Sequence, residues 1–360
     1  MKKIKLFDPS IDKKDEVALK KVLHSHFWSS CLGTGTVAKF EDVFNNYIGS
    51  DECVAINSGS AALHLALSLI EIKNKEVILP AFTFVSTAHA VLLNGGKTVF
   101  VDLDPNTLCV DPNLLEKSIT EKTRAIIPVH YGGMPCNLTK IRKISKKYNL
   151  KVIEDAAHAT GAIYKQKKIG THSFSVCHSF NPTKNLVMPS GGAITLNGSK
   201  SKKLKKILNA KRWCGITNRS GSKYDVKDIG WNYFMNEFSA SLGIQQMKKI
   251  NILGTIRKKI AKRYNKEINV EYKMPFEQDC SYQLYWIMVR DRDVFMKKMR
   301  ENNIETGIHY RPLNTMSLYK QKTKLLVTDN AGKKIVSIPM HPNLSDSDVS
   351  RVIKYVNMYT

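Results

Sequence analysis

The stretch "EVILPAFTFVSTAHAVLLNGGKTVFVDLD" (76–104) decides the fold. It opens with an apolar run typical of a buried strand, continues with a helical pattern over 86–94, and returns to an apolar run over 98–104. A strand, a helix and a second strand in this order indicate two parallel strands joined by a crossover helix.

The same alternation extends over about 50–200. Further strands are predicted at 125–131, 151–155, 174–180 and 191–197. Further helices are predicted at 60–70, 111–119 and 137–149. Continuous apolar strands that alternate with helices are typical of a sheet covered on both faces. We therefore predict an α/β fold with a mostly parallel central sheet and helices on both faces.

After residue 245 the pattern changes. Residues 243–268 have the spacing of one long helix or of two helices, with Gly254 as a candidate break. A strand pattern at 282–289 is followed by helical patterns at 293–303 and 346–359. These features predict a smaller C-terminal α+β domain. The predicted division is a large domain of residues 1–245 and a small domain of residues 246–360.

Composition narrows the function classes. The chain has 360 residues, of which 42% are hydrophobic, and it has no apolar run of about 18 residues that would predict a membrane helix. Its basic N-terminus, "MKKIKLFDPS", is not followed by the apolar stretch of a signal peptide. Seven scattered cysteines without a CxxC pair suit a reducing compartment and argue against a metal site. We predict a cytoplasmic protein with no metal and no membrane contact.

The net charge of +25, from 56 Lys and Arg against 31 Asp and Glu, has two interpretations. It could serve a nucleic acid or an anionic substrate, or it could reflect lysines on solvated faces. The cluster "RKKIAKR" (257–263) has Ile256, Ile260 and Tyr264 at helical spacing, so its lysines are expected on the solvent-exposed side of a helix. No nucleic-acid-binding motif accompanies them, and no nucleic-acid partner is predicted.

Two segments hold candidate binding groups. In "VIEDAAHATGA" (152–162), Asp155 ends a strand, where a carboxylate can pair with a cationic ring nitrogen or can simply cap the next segment. In "NSGSAALHLAL" (57–67), a Gly/Ser turn leads into a helix whose free N–H groups, with the Ser60 hydroxyl, can bind phosphate. An ordinary helix cap by Ser58 or Ser60 is the alternative.

The segment "SFNPTKNLVMPSGG" (179–192) places Lys184 five residues after Ser179. A lysine amine can bond to an aldehyde cofactor when its charge is disfavoured and its position is fixed. Ser179 can donate to a phosphate on the same cofactor. A lone lysine in such a loop is usually solvated, but here it follows a phosphate-binding turn and an acid at a strand end, in that order.

With these segments the sequence resembles the DegT/StrS-type nucleotide-sugar aminotransferase family, pyridoxal-phosphate enzymes with the aspartate-aminotransferase fold (fold type I). The resemblance covers nearly the whole chain. It is carried by the segments at 33–49, 57–67, 76–91, 152–170, 179–186, 230–247, 307–313 and 337–353.

The resemblance implies a role for each matching residue around the cofactor. Lys184 would form the Schiff base with pyridoxal phosphate and move the proton, and Asp155 would pair with the pyridinium nitrogen. The other cofactor contacts implied are a histidine near the phenolic oxygen, an aromatic ring on the cofactor face and a phosphate cradle that includes a backbone N–H: His158, Phe84, Ser179, Ser60 and Ala61.

The resemblance also implies partners. Asn232 would reach the phosphate of the neighbouring subunit's cofactor, which requires a homodimer with shared active sites. His309 and Tyr310 match a motif near the substrate. The implied reaction is transamination of a nucleotide-linked keto-sugar, commonly a 4-keto-6-deoxy sugar, with an amino-acid donor that is most often glutamate, to give an amino sugar for glycan (polysaccharide) biosynthesis.

Two alternatives stay open at this point. Dehydratases that resemble this family replace the lysine by histidine, and a basic regulatory or nucleic-acid-binding relative could keep the fold without turnover. The presence of Lys184 argues against a dehydratase, and the set of Lys184, Asp155 and Ser179 argues against a relative without turnover.

Two positions depart from the family pattern. The loop after the lysine has Pro189 and Ser190 where Gly-Glu or Gly-Asp is usual, and Phe234 stands where arginine is usual. We hypothesise that a charge pair between these two regions has been lost.

Overall fold

A seven-stranded sheet organises the first 200 residues of a computed structural model that describes residues 2–321 and 323–360. Its strand order is β1-β9-β8-β5-β4-β2-β3, and β9 alone runs antiparallel to its neighbours. The sheet strands are β1 (Glu52–Ile56), β2 (Glu76–Pro80), β3 (Lys97–Val101), β4 (Thr123–Ile126), β5 (Lys151–Asp155), β8 (Ser175–Ser179) and β9 (Gly192–Leu196). Three antiparallel pairs lie outside this sheet: β6 (Ile163–Tyr164) with β7 (Lys167–Lys168), β10 (Ile216–Ser220) with β11 (Lys223–Val226), and β12 (Tyr285–Met288) with β13 (Ile335–Ile338).

Helices connect and cover these strands, and several begin at side chains that accept the free N–H groups of the first turn. Ser58 caps α3, Asp111 caps α5, and Asn236 caps α8. The helices are α1 (Lys13–Ser25), α2 (Gly35–Ile48), α3 (Gly59–Leu67), α4 (Val85–Leu93), α5 (Pro112–Lys117), α6 (Leu138–Lys147), α7 (Ser201–Lys211), α8 (Glu237–Glu267), α9 (Arg292–Glu301), α10 (Leu326–Lys334) and α11 (Asp346–Tyr359).

Both faces of the sheet are buried, as the continuous apolar strands predict. Along β2, Val77 and Leu79 belong to the core that contains α3 and α4, whereas Ile78 belongs to the core that contains α5 and α6. Successive side chains of a strand point to opposite faces, so one apolar run fills two cores. The predicted α/β fold class is confirmed.

The C-terminal part packs around the β12–β13 pair, with α9 against β13 and α11 against α9 and α8. The helix α8 leads into this part, and the predicted boundary between residues 245 and 246 lies inside that helix. The N-terminal residue Ile4 also pairs with Ile304 of the C-terminal part. The two-domain division stays a prediction.

One local prediction was wrong: the strand predicted at 125–131 ends at Ile126, because Pro128 has no N–H to donate to a ladder. Of the two arrangements predicted for 243–268, the structure has the single long helix. Helix α8 continues through Gly254, since glycine weakens a helix without breaking its hydrogen bonds. Within the described residues, no helix combines the length and the apolar character needed to cross a membrane.

Candidate active site

A cavity of about 320 Å³ opens at the carboxyl ends of the parallel strands, where ligands of such sheets bind. We call it the Lys184 cavity, after the lysine that lines it. Eight of the residues that the sequence singled out line this cavity: Ser60, Phe84, Asp155, His158, Ser179, Lys184, His309 and Tyr310. The chain therefore brings together groups that lie up to 250 positions apart in the sequence.

The order of the strands in the sheet explains why Asp155 and Ser179 lie close together. Asp155 ends β5 and Ser179 ends β8, and these two strands are parallel neighbours. The start of α3 packs directly against the same edge. A Cβ on Gly59 would lie 2.7 Å from the Ser179 Cβ, and a Cβ on Gly192 would lie 2.6 Å from the Ser58 backbone. Glycine at both positions lets the backbones approach closely enough to form a cradle.

Lys184 lies in a loop that is tied down on both sides. Its own N–H donates to the Asn181 carbonyl at 2.8 Å, the Gln283 side chain donates to the Thr183 carbonyl at 2.9 Å, and the Asn185 side chain donates to the Ser281 carbonyl at 3.0 Å. Burial lowers the pKa of Lys184 from 10.5 to about 8, and the charge of Asp155 opposes this shift. About a tenth of the amine is therefore neutral at pH 7.

Asp155 is buried and hydrogen-bonded. The Thr87 hydroxyl donates to Oδ2 at 2.8 Å, and the Ala157 N–H donates to Oδ1 at 3.1 Å. Burial raises the pKa of this carboxyl, while the two donors and the charge of Lys184 lower it. These groups partly offset the cost of keeping a carboxylate inside the protein.

His158 is buried, and burial holds its pKa well below the ordinary value. Its Nδ1 accepts from the Gly132 N–H at 3.2 Å, so the neutral ring carries its proton on Nε2. That nitrogen lies 3.0 Å from the Tyr310 hydroxyl and donates to it. The Tyr310 proton is then free to donate to another acceptor.

His309 and Phe84 complete the mouth of the cavity. His309 Nδ1 lies 3.0 Å from the Ser337 hydroxyl, and its pKa is lowered to about 4 by burial and by the charge of Lys184. Phe84 is 53% exposed, and its ring centroid lies 5.9 Å from that of Tyr310. An exposed aromatic face beside a polar cavity is suited to stacking on a flat ligand.

Two predicted residues lie apart from the cavity lining. The Ala61 N–H donates to the Ser58 hydroxyl at 3.2 Å, so the helix cap uses the group that was predicted to bind phosphate. Asn232 is exposed, and its carbonyl accepts from the Asn57 side chain. Their predicted roles stay predictions.

The two departures from the family pattern lie close to the same strand end. The Ser190 hydroxyl donates to the Asn57 carbonyl, and Phe234 forms an antiparallel bridge with Ile56. Positions 190 and 234 thus both contact the turn that leads from β1 into α3.

Sequence reasoning missed the residues that support the site. Thr87 holds Asp155, and Gln283 holds the backbone next to Lys184. Neither has a local signal, because each acts through a contact with a distant segment. Thr87 does lie four residues after Thr83, and the two hydroxyls are 3.0 Å apart. This spacing of two threonines is a weak sequence signal for Thr87, and it does not point to Asp155.

Comparison with known proteins agrees with this geometry. The model of the DegT/DnrJ/EryC1/StrS aminotransferase family matches residues 9–357. The uncharacterized protein MJ1066 of Methanocaldococcus jannaschii is 36% identical over 340 residues, with 88% of each chain covered.

Solved structures are similar over almost the whole chain. Helicobacter pylori PseC, an aminotransferase involved in the biosynthesis of pseudoaminic acid, is 27% identical with a TM-score of 0.93, covering 99% of both chains. The sugar aminotransferase CalS13 from Micromonospora echinospora is 29% identical with a TM-score of 0.90, covering 98% of this chain and 99% of that one. The chain therefore belongs to the DegT/DnrJ/EryC1/StrS aminotransferase family and is a pyridoxal-phosphate-dependent sugar aminotransferase.

Proposed function

We propose that this enzyme transfers an amino group from glutamate to the keto carbon of a nucleotide-linked 4-keto-6-deoxy sugar, giving an amino sugar for glycan biosynthesis. The observation that carries the proposal is Lys184, a lysine of lowered pKa that lines one cavity together with Asp155. The similarity to PseC and CalS13 supports a sugar as the acceptor.

The residues of the Lys184 cavity fit pyridoxal phosphate. When bound, this cofactor supplies an aldehyde that bonds to amines and a cationic ring that withdraws electrons from the reacting carbon. Ser179 and Ser60 present hydroxyls beside the start of α3, where phosphate is favoured by the helix end. The glycines at 59 and 192 keep that cradle free of side-chain atoms. Asp155 offers the carboxylate that a cationic ring nitrogen requires.

The proposed chemistry depends on Lys184 and Asp155, whose environments in the folded protein suit their roles. Lys184 would hold the cofactor covalently through its amine, and its Nζ, when free, would accept and return the proton that moves in the reaction. Its pKa near 8 suits this work, since a proton carrier acts best when its pKa is near the operating pH. Thr87 and Ala157 donate to the Asp155 carboxyl and favour its charged form, which would keep a ring nitrogen protonated.

His158, Tyr310 and Phe84 position the reactants. The His158 ring is fixed by Gly132 with its proton on Nε2, so this neutral ring donates to Tyr310 and adds no second positive charge to the cavity. Tyr310 accepts that hydrogen bond and has its own proton available for a sugar oxygen. Phe84, with its exposed ring at the mouth of the cavity, would stack on the flat face of the cofactor.

We also propose a homodimer in which Asn232 reaches the neighbouring subunit's cofactor phosphate. The exposure of Asn232 supports this role, as do the exposed side chains of Tyr224, Val226 and Ile229 next to it in the sequence. Large apolar side chains grouped on a surface commonly mark an interface. Mixing a Lys184→Ala chain with an Asn232→Ala chain tests it, because a shared site predicts that hybrid dimers regain part of the activity.

The reaction is tested by supplying the holoenzyme with glutamate and a panel of nucleotide-linked keto-sugars. Mass spectrometry should detect 2-oxoglutarate and one amino sugar in equal amounts, and a Lys184→Ala chain should form neither. A deoxy product without an amino group would identify a dehydratase instead.

Kinetics give an independent test. An amino group that rests on the enzyme between donor and acceptor predicts parallel lines in double-reciprocal plots of initial rates. Intersecting lines would reject this order of events.

A further inference from the structure

A second cavity, of about 190 Å³, lies between α8 and the loop that follows β5. It is lined by Arg257, Lys258 and Lys168 together with Asn185, Thr160 and Gly254. No Asp or Glu of the described chain lines it. We call it the Arg257 cavity. Three cations around one concave site, without a carboxylate, form a local field that favours anions.

Arg257 is the central group of this cavity, and it is only 5% exposed. Its Nη1 donates to the Met340 carbonyl at 2.6 Å and to the Tyr282 carbonyl at 3.3 Å, while Nε has no partner among the described residues. No described carboxylate forms an ion pair with it. A buried charge is costly unless it is paired, so a buried guanidinium without a counter-charge is an unusual feature.

Gly254 provides a second and independent observation. It lies in the interior of α8, where glycine costs about 0.5–1 kcal/mol relative to alanine. A Cβ at this position would meet no atom within 4 Å, so packing does not require glycine here. The missing side chain leaves the Arg257 cavity open.

We propose that the Arg257 cavity binds a small oxyanion, a phosphate or a short carboxylate, with Arg257 as the main partner and Lys258 and Lys168 at the rim. A guanidinium suits such a ligand because it donates two parallel hydrogen bonds to two oxygens. The site is distinct from the cofactor's phosphate cradle, whose lining residues Ser60 and Ser179 belong to the Lys184 cavity.

The ligand would lie next to the catalytic loop. Asn185 directly follows Lys184, and its side chain donates to the Thr160 carbonyl at 3.3 Å and to the Ser281 carbonyl at 3.0 Å. Asn185, Thr160 and Ser281 all line the Arg257 cavity. An anion bound there would contact the wall that fixes the position of Lys184.

Calorimetric titration tests the proposal on cofactor-saturated holoenzyme that has been reduced with borohydride, so that free phosphate cannot compete for the cofactor site. Inorganic phosphate and glutarate are titrated separately, at constant ionic strength, to distinguish the two sources of an oxyanion. We expect one saturable site per chain for at least one of them.

Three variants locate the site. Lys258→Gln should weaken binding about tenfold or more, because it removes a charged donor. Gly254→Leu should abolish binding, because the leucine side chain fills the cavity. It leaves every hydrogen bond of Arg257 in place, so it tests the site without removing a buried group on which folding depends. Lys262→Gln makes the same charge change on an exposed position of α8 and should bind as the unmodified enzyme does. Absence of saturable binding by both anions, or unchanged affinity in Gly254→Leu, overturns the proposal.

Discussion

Lys184 and Arg257 are two cations that line one narrow cavity of about 10 Å³, and of the two Lys184 is partly buried and Arg257 is buried. Burial lowers the pKa of each, to about 8 for Lys184 and to about 10 for Arg257. The amine has Asp155 as an opposing charge, whereas the guanidinium has only carbonyl oxygens. Burial thus has different results for the two side chains: Lys184 can exchange its proton near neutral pH, whereas Arg257 stays charged.

The largest effect should come from removing the exchangeable amine. Lys184→Ala is expected to lower the transamination rate about 10⁴-fold or more, since covalent attachment and proton transfer are lost together. Lys184→Arg is the matched control, because it keeps the charge and should be equally inactive. Substantial turnover by either variant, measured by 2-oxoglutarate formation, would contradict the role given to the amine.

Removing the permanent cation should instead affect stability. Arg257→Met is expected to lower the free energy of unfolding by about 2–4 kcal/mol, because the buried Tyr282 and Met340 carbonyls lose a charged donor. Urea unfolding of the cofactor-free protein measures it. An unchanged midpoint would mean that water replaces the guanidinium at no cost.

Removing the charge of Lys184 is expected to change the free energy of unfolding in the opposite direction, by stabilising the protein. The folded pKa of Lys184 is depressed from 10.5 to about 8, so the charged amine costs stability below pH 8, and that cost disappears as the pH rises from 8 to 10.5. Lys184→Met should therefore stabilise the cofactor-free protein at pH 7 by up to about 3 kcal/mol, less what Asp155 loses with its opposite charge. Urea unfolding at pH 7 and at pH 10 checks both the gain and its decline.

A smaller effect is expected at the two departures from the family pattern. Ser190→Glu combined with Phe234→Arg should show a coupling free energy of about 0.5–1 kcal/mol beyond the two single changes, if an opposite-charge pair can form beside Asn57. Thermal unfolding of all four proteins gives the cycle. Purely additive effects would reject the hypothesis of a lost charge pair.

An effect of similar size is expected at Gly254, which lines the Arg257 cavity. Gly254→Ala should raise the free energy of unfolding by about 0.5–1 kcal/mol, since it restores helix propensity where a Cβ meets no atom. Thermal unfolding of the cofactor-free protein is the measurement. A loss of stability would show that the glycine serves the helix itself.

The sheet could be predicted because its strands are short apolar runs separated by helical periodicity. Asp155 could be placed at the mouth of the site because the end of a parallel strand is a local property of the sequence. Lys184 needed the surrounding motifs, since a lysine in a Ser/Pro/Gly loop has no periodicity of its own.

The supporting residues could not be predicted in this way. Thr87 reaches Asp155 across 68 positions, and Gln283 reaches Thr183 across 100. Arg257 was not singled out either, because it is the first residue of a basic run whose lysines were expected to face solvent. It lies inside because the C-terminal part of the chain packs over that turn of the helix, and such a contact leaves no trace in local spacing.

The unbroken α8 has a mechanical consequence. Its 31 residues span about 46 Å at the rise of an α-helix, from Glu237, which binds the Thr36 N–H, to Glu267 beside α11. A continuous helix of this length moves as one rigid element, so a shift at its N-terminal end also shifts its C-terminal end. Any relative motion of the sheet and the C-terminal part must therefore bend the chain elsewhere, and a proline at position 254 would create the hinge that the natural sequence lacks.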